Sequence, residues 1–512
     1  MYLLGYDIGS SSIKAALVDA QTQETVGLVR YPESEMDIIS RQSGWAEQHP
    51  EIWWENLQKA TQLLLKTCNV SADQILSIGI AYQMHGLILI DKDQRVLRSA
   101  IIWCDSRAVH IGAQAEQALG ESWCQEHLLN SPGNFTASKL KWVKDNEPEL
   151  FDQIDKVLLP GDFINMKMTG EVNTTVAALS EGIFWDFKRH SISEDLLAHF
   201  GFEASLFPEI LETCENHGVL SSTAARLLGL KKGTPVTYRA GDQPNNALSL
   251  NVLQPGEIAA TGGTSGVVFG VTDAPLADKA SRINAFAHVN HSFAYPRVGM
   301  LLCINGAGIQ YSWLKQMLAQ EGTTYESIGR MLSSVPVNSD GLVVLPFGNG
   351  AERMLGNRDI GSRVLNLNFN RHGKAHLYRA GLEGVAYAFI YGIKIMKSLG
   401  MELGRIKVGN DNLFQSSVFS NNIASVLGCE IEVLESTGAV GAALASGKGI
   451  HHFAHLEEAM AGLRTVQTFT PSPEKNLYES GYRLWHSELR KILNWNNNHL
   501  NHEHSYRREI LL

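Results

Sequence analysis

Residues 1–19, MYLLGYDIGSSSIKAALVD, hold the reading on which the fold turns. An apolar run over 2–8 carries Asp7 near its end. Gly9, Ser10, Ser11 and Ser12 form a polar break, and Ile13 to Val18 resume the apolar pattern. Two apolar runs joined by a short Gly/Ser segment predict a β-hairpin. A comparable unit returns at 256–272, where Glu257-Ile258-Ala259-Ala260 leads into Thr261-Gly262-Gly263-Thr264-Ser265-Gly266 and out through Val267 to Val271. One strand–turn–strand unit in each half of the chain points to two similar lobes.

Between these units the pattern alternates. Pro50 to Lys66 places Ile52, Trp53, Leu57, Ala60 and Leu64 at near-helical spacing, while Ile75 to Ala81 and Thr234 to Tyr238 read as short strands. The fold class is therefore α/β. A chain of 512 residues with 44% hydrophobic content is too long for one core. The expected division is 1–250 and 251–493, cut just before the second hairpin unit. A polar Asn/His-rich tail over 494–512 is expected to be flexible, with a His-rich metal site as its alternative reading.

The formal charge of −10, from 53 acidic and 43 basic residues without a long single-sign block, argues against a nucleic-acid partner. No run approaches the length of a membrane span, and the N-terminus lacks the basic flank and cleavage site of a signal peptide. The six cysteines are scattered without CxxC pairs and read as reduced thiols of a cytoplasmic protein.

Several groups carry chemistry. Asp7 ends an apolar strand before a turn whose amides and hydroxyls face an anion well, which suits a nucleotide phosphate with its metal; the alternative is an aspartate stabilising its own turn. Thr261 to Gly266 offers glycines for close approach and hydroxyls for phosphate, but has neither P-loop nor Rossmann order, and a plain Gly-rich hairpin is equally open. Asp242, in Ala240-Gly241-Asp242-Gln243, stands at a strand-to-helix junction, where a carboxylate either accepts a proton from a hydroxyl nucleophile or caps the helix. His85, in Gln83-Met84-His85-Gly86, is either a sugar ligand or a satisfied structural histidine. Trp103, Asp105 and Arg107 suit a polyol, or form a local salt bridge.

In this order the segments resemble the FGGY family of carbohydrate kinases over about residues 2–490. The motifs are Asp7-Ile8-Gly9-Ser10-Ser11, Gln83-Met84-His85-Gly86, Trp103-x-Asp105-x-Arg107, Lys139-Leu140-x-Trp142, Gly241-Asp242 and Gly263-Thr264-Ser265-Gly266. The resemblance implies two ribonuclease H-like (actin-like ATPase) domains flanking a central cleft. It also implies ATP and Mg²⁺ as cofactors and a ketopentose such as D-xylulose as acceptor, with L-ribulose, L-fuculose, gluconate or glycerol as alternatives. A non-catalytic sugar sensor on the same fold is a further alternative, and a homodimer is left open.

By resemblance, Asp242 is the general base and Asp7 holds the metal. Met84, His85, Gly86, Trp103, Asp105 and Gln243 bind sugar. Gly9, Ser10, Ser11, Lys14, Gly263, Thr264, Gly409, Asn410 and Asn412 bind the nucleotide. At the last of these the chain departs from the family's Gly-Gly-Gly-x-x-Ser pattern, reading Gly409-Asn410-Asp411-Asn412-Leu413-Phe414-Gln415-Ser416. Asparagine tolerates left-handed backbone, so the loop shape is expected to survive. Asp411 beside an anionic nucleotide is the less compatible change.

Overall fold

The computed structural model describes residues 1–320 and 322–509; for 495–509 the description is of helical backbone alone. Two compact units emerge. The first comprises Met1–Glu257, Phe269–Leu301 and Glu435–Arg464, and the second Ile258–Val268, Leu302–Leu434 and the chain from Thr465 onward. The units are thus discontinuous in sequence.

In the first unit, β1 (Tyr2–Ile8), β2 (Ile13–Asp19) and β3 (Thr25–Tyr31) form an antiparallel meander, which confirms the expected hairpin. β4 (Ile75–Tyr82) and β5 (Val236–Gly241) join in parallel, giving the order β5-β4-β1-β2-β3. Helices α1 (Pro50–Cys68), α2 (Val176–Glu181), α3 (Asp242–Ser249) and α4 (Gly438–Gly449) surround this sheet.

Side chains alternate across β1. Leu4, Tyr6 and Ile8 enter one core layer with Trp53, Leu57 and Leu64 of α1, while Leu3 joins the other layer with Ala439, Ala442 and Ala443 of α4. Gly5 and Asp7 share the α4 side with Leu3. Helix and sheet meet there almost backbone to backbone: a Cβ on Gly5 would lie 2.0 Å from the Ala439 oxygen, and one on Gly79 only 1.9 Å from that of Ala442. The alanines and glycines of α4 permit this approach, which explains why residues 435–464 belong to the first unit.

In the second unit, β6 (Ile258–Gly262), β7 (Ile406–Gly409) and β8 (Ile431–Leu434) run parallel, and β9 (Thr465–Phe469) pairs antiparallel with β8. The turn at 263–265 leads from β6 into the strand Gly266–Thr272. The long helix Lys374–Ser398 is buried over most of its length.

The last helix, Lys475–Glu509, runs on into the segment from 494. Tyr482, Trp485, Leu489 and Leu493 are buried at helical spacing, and the polar residues beyond continue the same helix. The His-rich metal reading falls on side chains outside the described residues. Among the described residues no helix is long and apolar enough to cross a membrane. Among the described residues no cysteine is in a disulfide.

Candidate functional site

The C-terminal ends of β1, β4 and β5 bring the first set of predicted residues together. Asp7 and Lys14 are register partners across the β1–β2 hairpin, and Lys14 Nζ lies 3.0 Å from Asp7 Oδ2. The carboxylate of Asp7 holds the Lys14 amine above its ordinary value. Asp7 Oδ2 also stands 3.3 Å from where a Cβ on Gly438, the first residue of α4, would be. The carboxylate therefore faces the positive end of a helix dipole. Gly9 N–H closes the following turn on the Ser12 oxygen at 3.1 Å, leaving Ser10 and Ser11 partly exposed.

Asp242 opens α3 directly after β5. The N-cap position is Gly241, so Asp242 is the first helical residue and not the cap. Burial pushes its carboxyl up to about 7, and the negative charge of Asp7 adds to the shift; hydrogen bonds from Gln243 and the charge of Lys14 oppose it. A carboxyl so poised gains a proton readily near neutrality.

Beside it lies the turn after β4. Met84 is buried, and His85 adopts a left-handed conformation with φ 61°. The His85 ring nitrogen Nδ1 is 2.9 Å from the main-chain oxygen of Glu181, and the ring meets Phe135 edge-on at 4.8 Å. Gly86 serves close packing, since a Cβ there would fall 2.6 Å from Pro160 Cγ.

Trp103 is 53% exposed, with its Nε1 3.4 Å from Ser10 Oγ, so it stands beside the first loop. Asp105 is different. It is fully buried, chelated by the Arg107 guanidinium at 2.7–3.0 Å and by the Ala46 N–H at 2.6 Å. Arg107 lies over the Trp45 ring at 3.8 Å and bonds Glu47 at 2.7 Å. The salt-bridge alternative is the arrangement found, and Asp105 supports its loop instead of offering a carboxylate to a polyol.

Two residues contribute more than the sequence foretold. Lys139 is fully buried, donates to the main-chain oxygens of His85 and Ile102 at 2.9 Å each, and is pushed down to about 7 by burial. It ties the 83–86 turn to the 103–107 loop. Glu181, at the end of α2, is buried against Gly241: a Cβ on Gly241 would meet Glu181 Oε2 at 2.2 Å and Met84 Cγ at 2.6 Å. In the sequence, Leu179-Ser180-Glu181-Gly182 reads as an unremarked helix end.

In the second unit, the loop at Gly263 and Thr264 receives the next helix, Gly308–Leu318: the Gly308 and Ile309 N–H groups donate to the Gly263 and Thr264 oxygens at 3.0 Å. Asn412 approaches the same loop, its Nδ2 4.0 Å from the Cβ position of Gly263. Asn412 has left-handed backbone with φ 53°, one residue beyond the glycine positions of the family pattern when Gly409 is taken as the first. Gly409 ends β7, and the Asn410 N–H bonds the Leu434 oxygen at 3.0 Å. Of the predicted nucleotide residues, Gly263, Thr264 and Asn412 are thus brought together.

Comparison with known proteins supplies the class. The N-terminal domain model of the FGGY family of carbohydrate kinases matches residues 2–249, and its C-terminal domain model matches 258–449. A xylulose kinase of Bacillus subtilis (strain 168) is 27% identical over 492 residues, covering 92% of this chain and 93% of the relative. A glycerol kinase of Thermococcus gammatolerans is also 27% identical, over 510 residues, with 96% and 98% covered. The crystal structure of xylulose kinase from Rhodospirillum rubrum superimposes with a TM-score of 0.86 at 26% identity, covering 97% of this chain and 99% of that one.

The chain belongs to the FGGY family of carbohydrate kinases, and its fold is the family's two-domain, ribonuclease H-like (actin-like ATPase) α/β fold. It is an enzyme, a kinase acting on a carbohydrate.

Proposed function

We propose that the protein transfers the γ-phosphate of ATP to O5 of a ketopentose, D-xylulose, giving D-xylulose 5-phosphate and ADP. The observation that carries this reading is Asp242, raised to about 7 and placed beside Asp7 and the Met84–His85 turn. Xylulose kinases recur among the relatives, which favours the ketose.

Phosphoryl transfer asks the protein mainly for alignment and charge neutralisation. His85 and Met84 orient the sugar, and Asp242 accepts the proton of the attacking hydroxyl as its oxygen bonds to phosphorus. Within the first unit, Gly9 to Ser11 and Lys14 provide amides, hydroxyls and a cation suited to phosphate oxygens; within the second, Gly263, Thr264 and Asn412 are the residues for the nucleotide.

The donor set fits a magnesium ion that arrives with ATP. Among the described residues no cluster of three or more His, Cys, Asp or Glu could hold a metal alone, and Mg²⁺ bound with a nucleotide needs only one or two carboxylates besides phosphates and water. Asp7 is the residue that would hold it, and such an ion would supply charge neutralisation for the transferring group. An ATP-consuming sugar kinase of this kind works in the cytoplasm.

A second reading, phosphorylation of a polyol, draws on the glycerol kinase relative at the same 27% identity. ADP release coupled to a panel of D-xylulose, L-ribulose, L-fuculose, gluconate and glycerol separates them. D-xylulose is expected to give the highest kcat/KM; preference for glycerol with D-xylulose inert overturns the ketose and leaves the kinase standing.

A further inference from the structure

Glu181 is a buried carboxyl that the proposed chemistry does not use. Its residue is 1% exposed, and burial raises its proton affinity well above that of an ordinary carboxylate, with Asp242 as the next cause. Burial thus favours its protonated form, which can donate as well as accept a hydrogen bond.

Its contacts converge on the sugar-binding turn and the base. The main-chain oxygen of Glu181 meets His85 Nδ1 at 2.9 Å, while its carboxyl accepts the main-chain N–H of the same histidine. His85 is thus gripped at ring and backbone, which holds a non-glycine residue in left-handed conformation at φ 61°. The other side of the carboxyl presses on Gly241, alongside Met84, at the residue before Asp242. The Tyr82 hydroxyl is the neighbouring group on the carboxyl, and buried Oε1 makes no hydrogen bond of good geometry. A buried, incompletely paired carboxyl lowers stability, and such groups persist where function retains them.

We propose that Glu181 is a positioning residue for the acceptor: by holding His85 at two points and abutting Met84 and Gly241, it sets the spacing between the sugar-binding turn and Asp242, and so selects which acceptor hydroxyl meets the phosphoryl group. This rests on the reading of Met84, His85 and Asp242 as the acceptor site. A small displacement between acceptor and base costs rate steeply. Loss of Glu181 therefore acts on the sugar and not on the nucleotide.

The test is steady-state kinetics of the full-length protein, with D-xylulose and ATP varied separately, for wild type, Glu181→Gln, Glu181→Asp and Glu181→Ala, with thermal denaturation of each. Glu181→Ala is expected to lose about 10- to 100-fold in kcat/KM for the sugar while KM for ATP is unchanged. Glu181→Gln, which matches the protonated form in shape and keeps the acceptor for the His85 N–H, is expected to retain most activity. If Glu181→Ala does not fold, Glu181→Asp, which withdraws the carboxyl by one methylene, is expected to raise the sugar KM alone. An active wild type with an unaltered sugar kcat/KM in the Ala or Asp variant overturns the inference by itself. So does a Gln variant as impaired as the Ala or Asp variant. A wild type inert with every acceptor of the panel overturns this inference together with the functional reading.

Discussion

Asp242 lies in the electric field of Asp7, whose own carboxylate is held 3.0 Å from the Lys14 amine. Burial and Asp7 together place the Asp242 carboxyl at about 7, and a base works only once it has lost its proton. The kcat/KM for the acceptor is therefore expected to rise with pH through a limb near 7 and level off above it. Lys14→Met removes a cation that favours the ionised form and is expected to move that limb to higher pH. Profiles of the two proteins check this, and a wild-type profile flat across neutrality contradicts it.

The same shift has a consequence for stability. The folded protein keeps a proton on Asp242 that the unfolded chain, near 3.8, has released, so this group's contribution to stability falls as pH rises from 3.8 to about 7. Asp242→Asn cannot ionise and escapes that loss. Its Tm relative to wild type is expected to be higher at about pH 8 than at about pH 4, as read by thermal denaturation at each pH.

Asp105 is a structural partner of Arg107, both buried at the Trp45 ring. Asp105→Ala leaves Arg107 with Glu47 as its remaining carboxylate and strips the buried Ala46 N–H of its acceptor, so it is expected to cost about 1–3 kcal/mol. A marked drop in Tm is the expected result. A variant of normal Tm with only a raised sugar KM would instead make Asp105 a sugar ligand.

Lys139 joins two site loops through the oxygens of His85 and Ile102. Lys139→Met keeps the stem and removes both bonds; the Ile102 oxygen still accepts from the Asp105 N–H, so the expected cost is about 1–3 kcal/mol in all. The expected outcome is a lower Tm with a raised KM for sugar and an unchanged KM for ATP, measured on the same preparation.

Much of this was readable from the chain. The Asp7 hairpin was legible because the apolar runs and the Gly/Ser break all lie within residues 2–19, where local pattern determines pairing. Asp242 was legible because strand and helix signals meet at it. Asp105 was ambiguous, since Trp103-x-Asp105-x-Arg107 reads alike whether the carboxylate faces a ligand or its own arginine; burial, a tertiary property, decides it. Glu181 was silent because its meaning depends on His85 and Gly241, separated from it by 96 and 60 residues. The later segment at 435–464 was likewise hidden: only the close approach of α4 to Gly5 and Gly79 ties it to the first unit.

The most direct measurement is ATP-dependent ADP release with D-xylulose by purified wild-type protein and Asp242→Asn, with folding of both verified by thermal denaturation. The wild type is expected to turn over the sugar and the folded variant to lose about 100-fold or more of that rate, as for removal of a general base. A folded Asp242→Asn protein with near wild-type turnover contradicts the assignment of Asp242 as the proton acceptor.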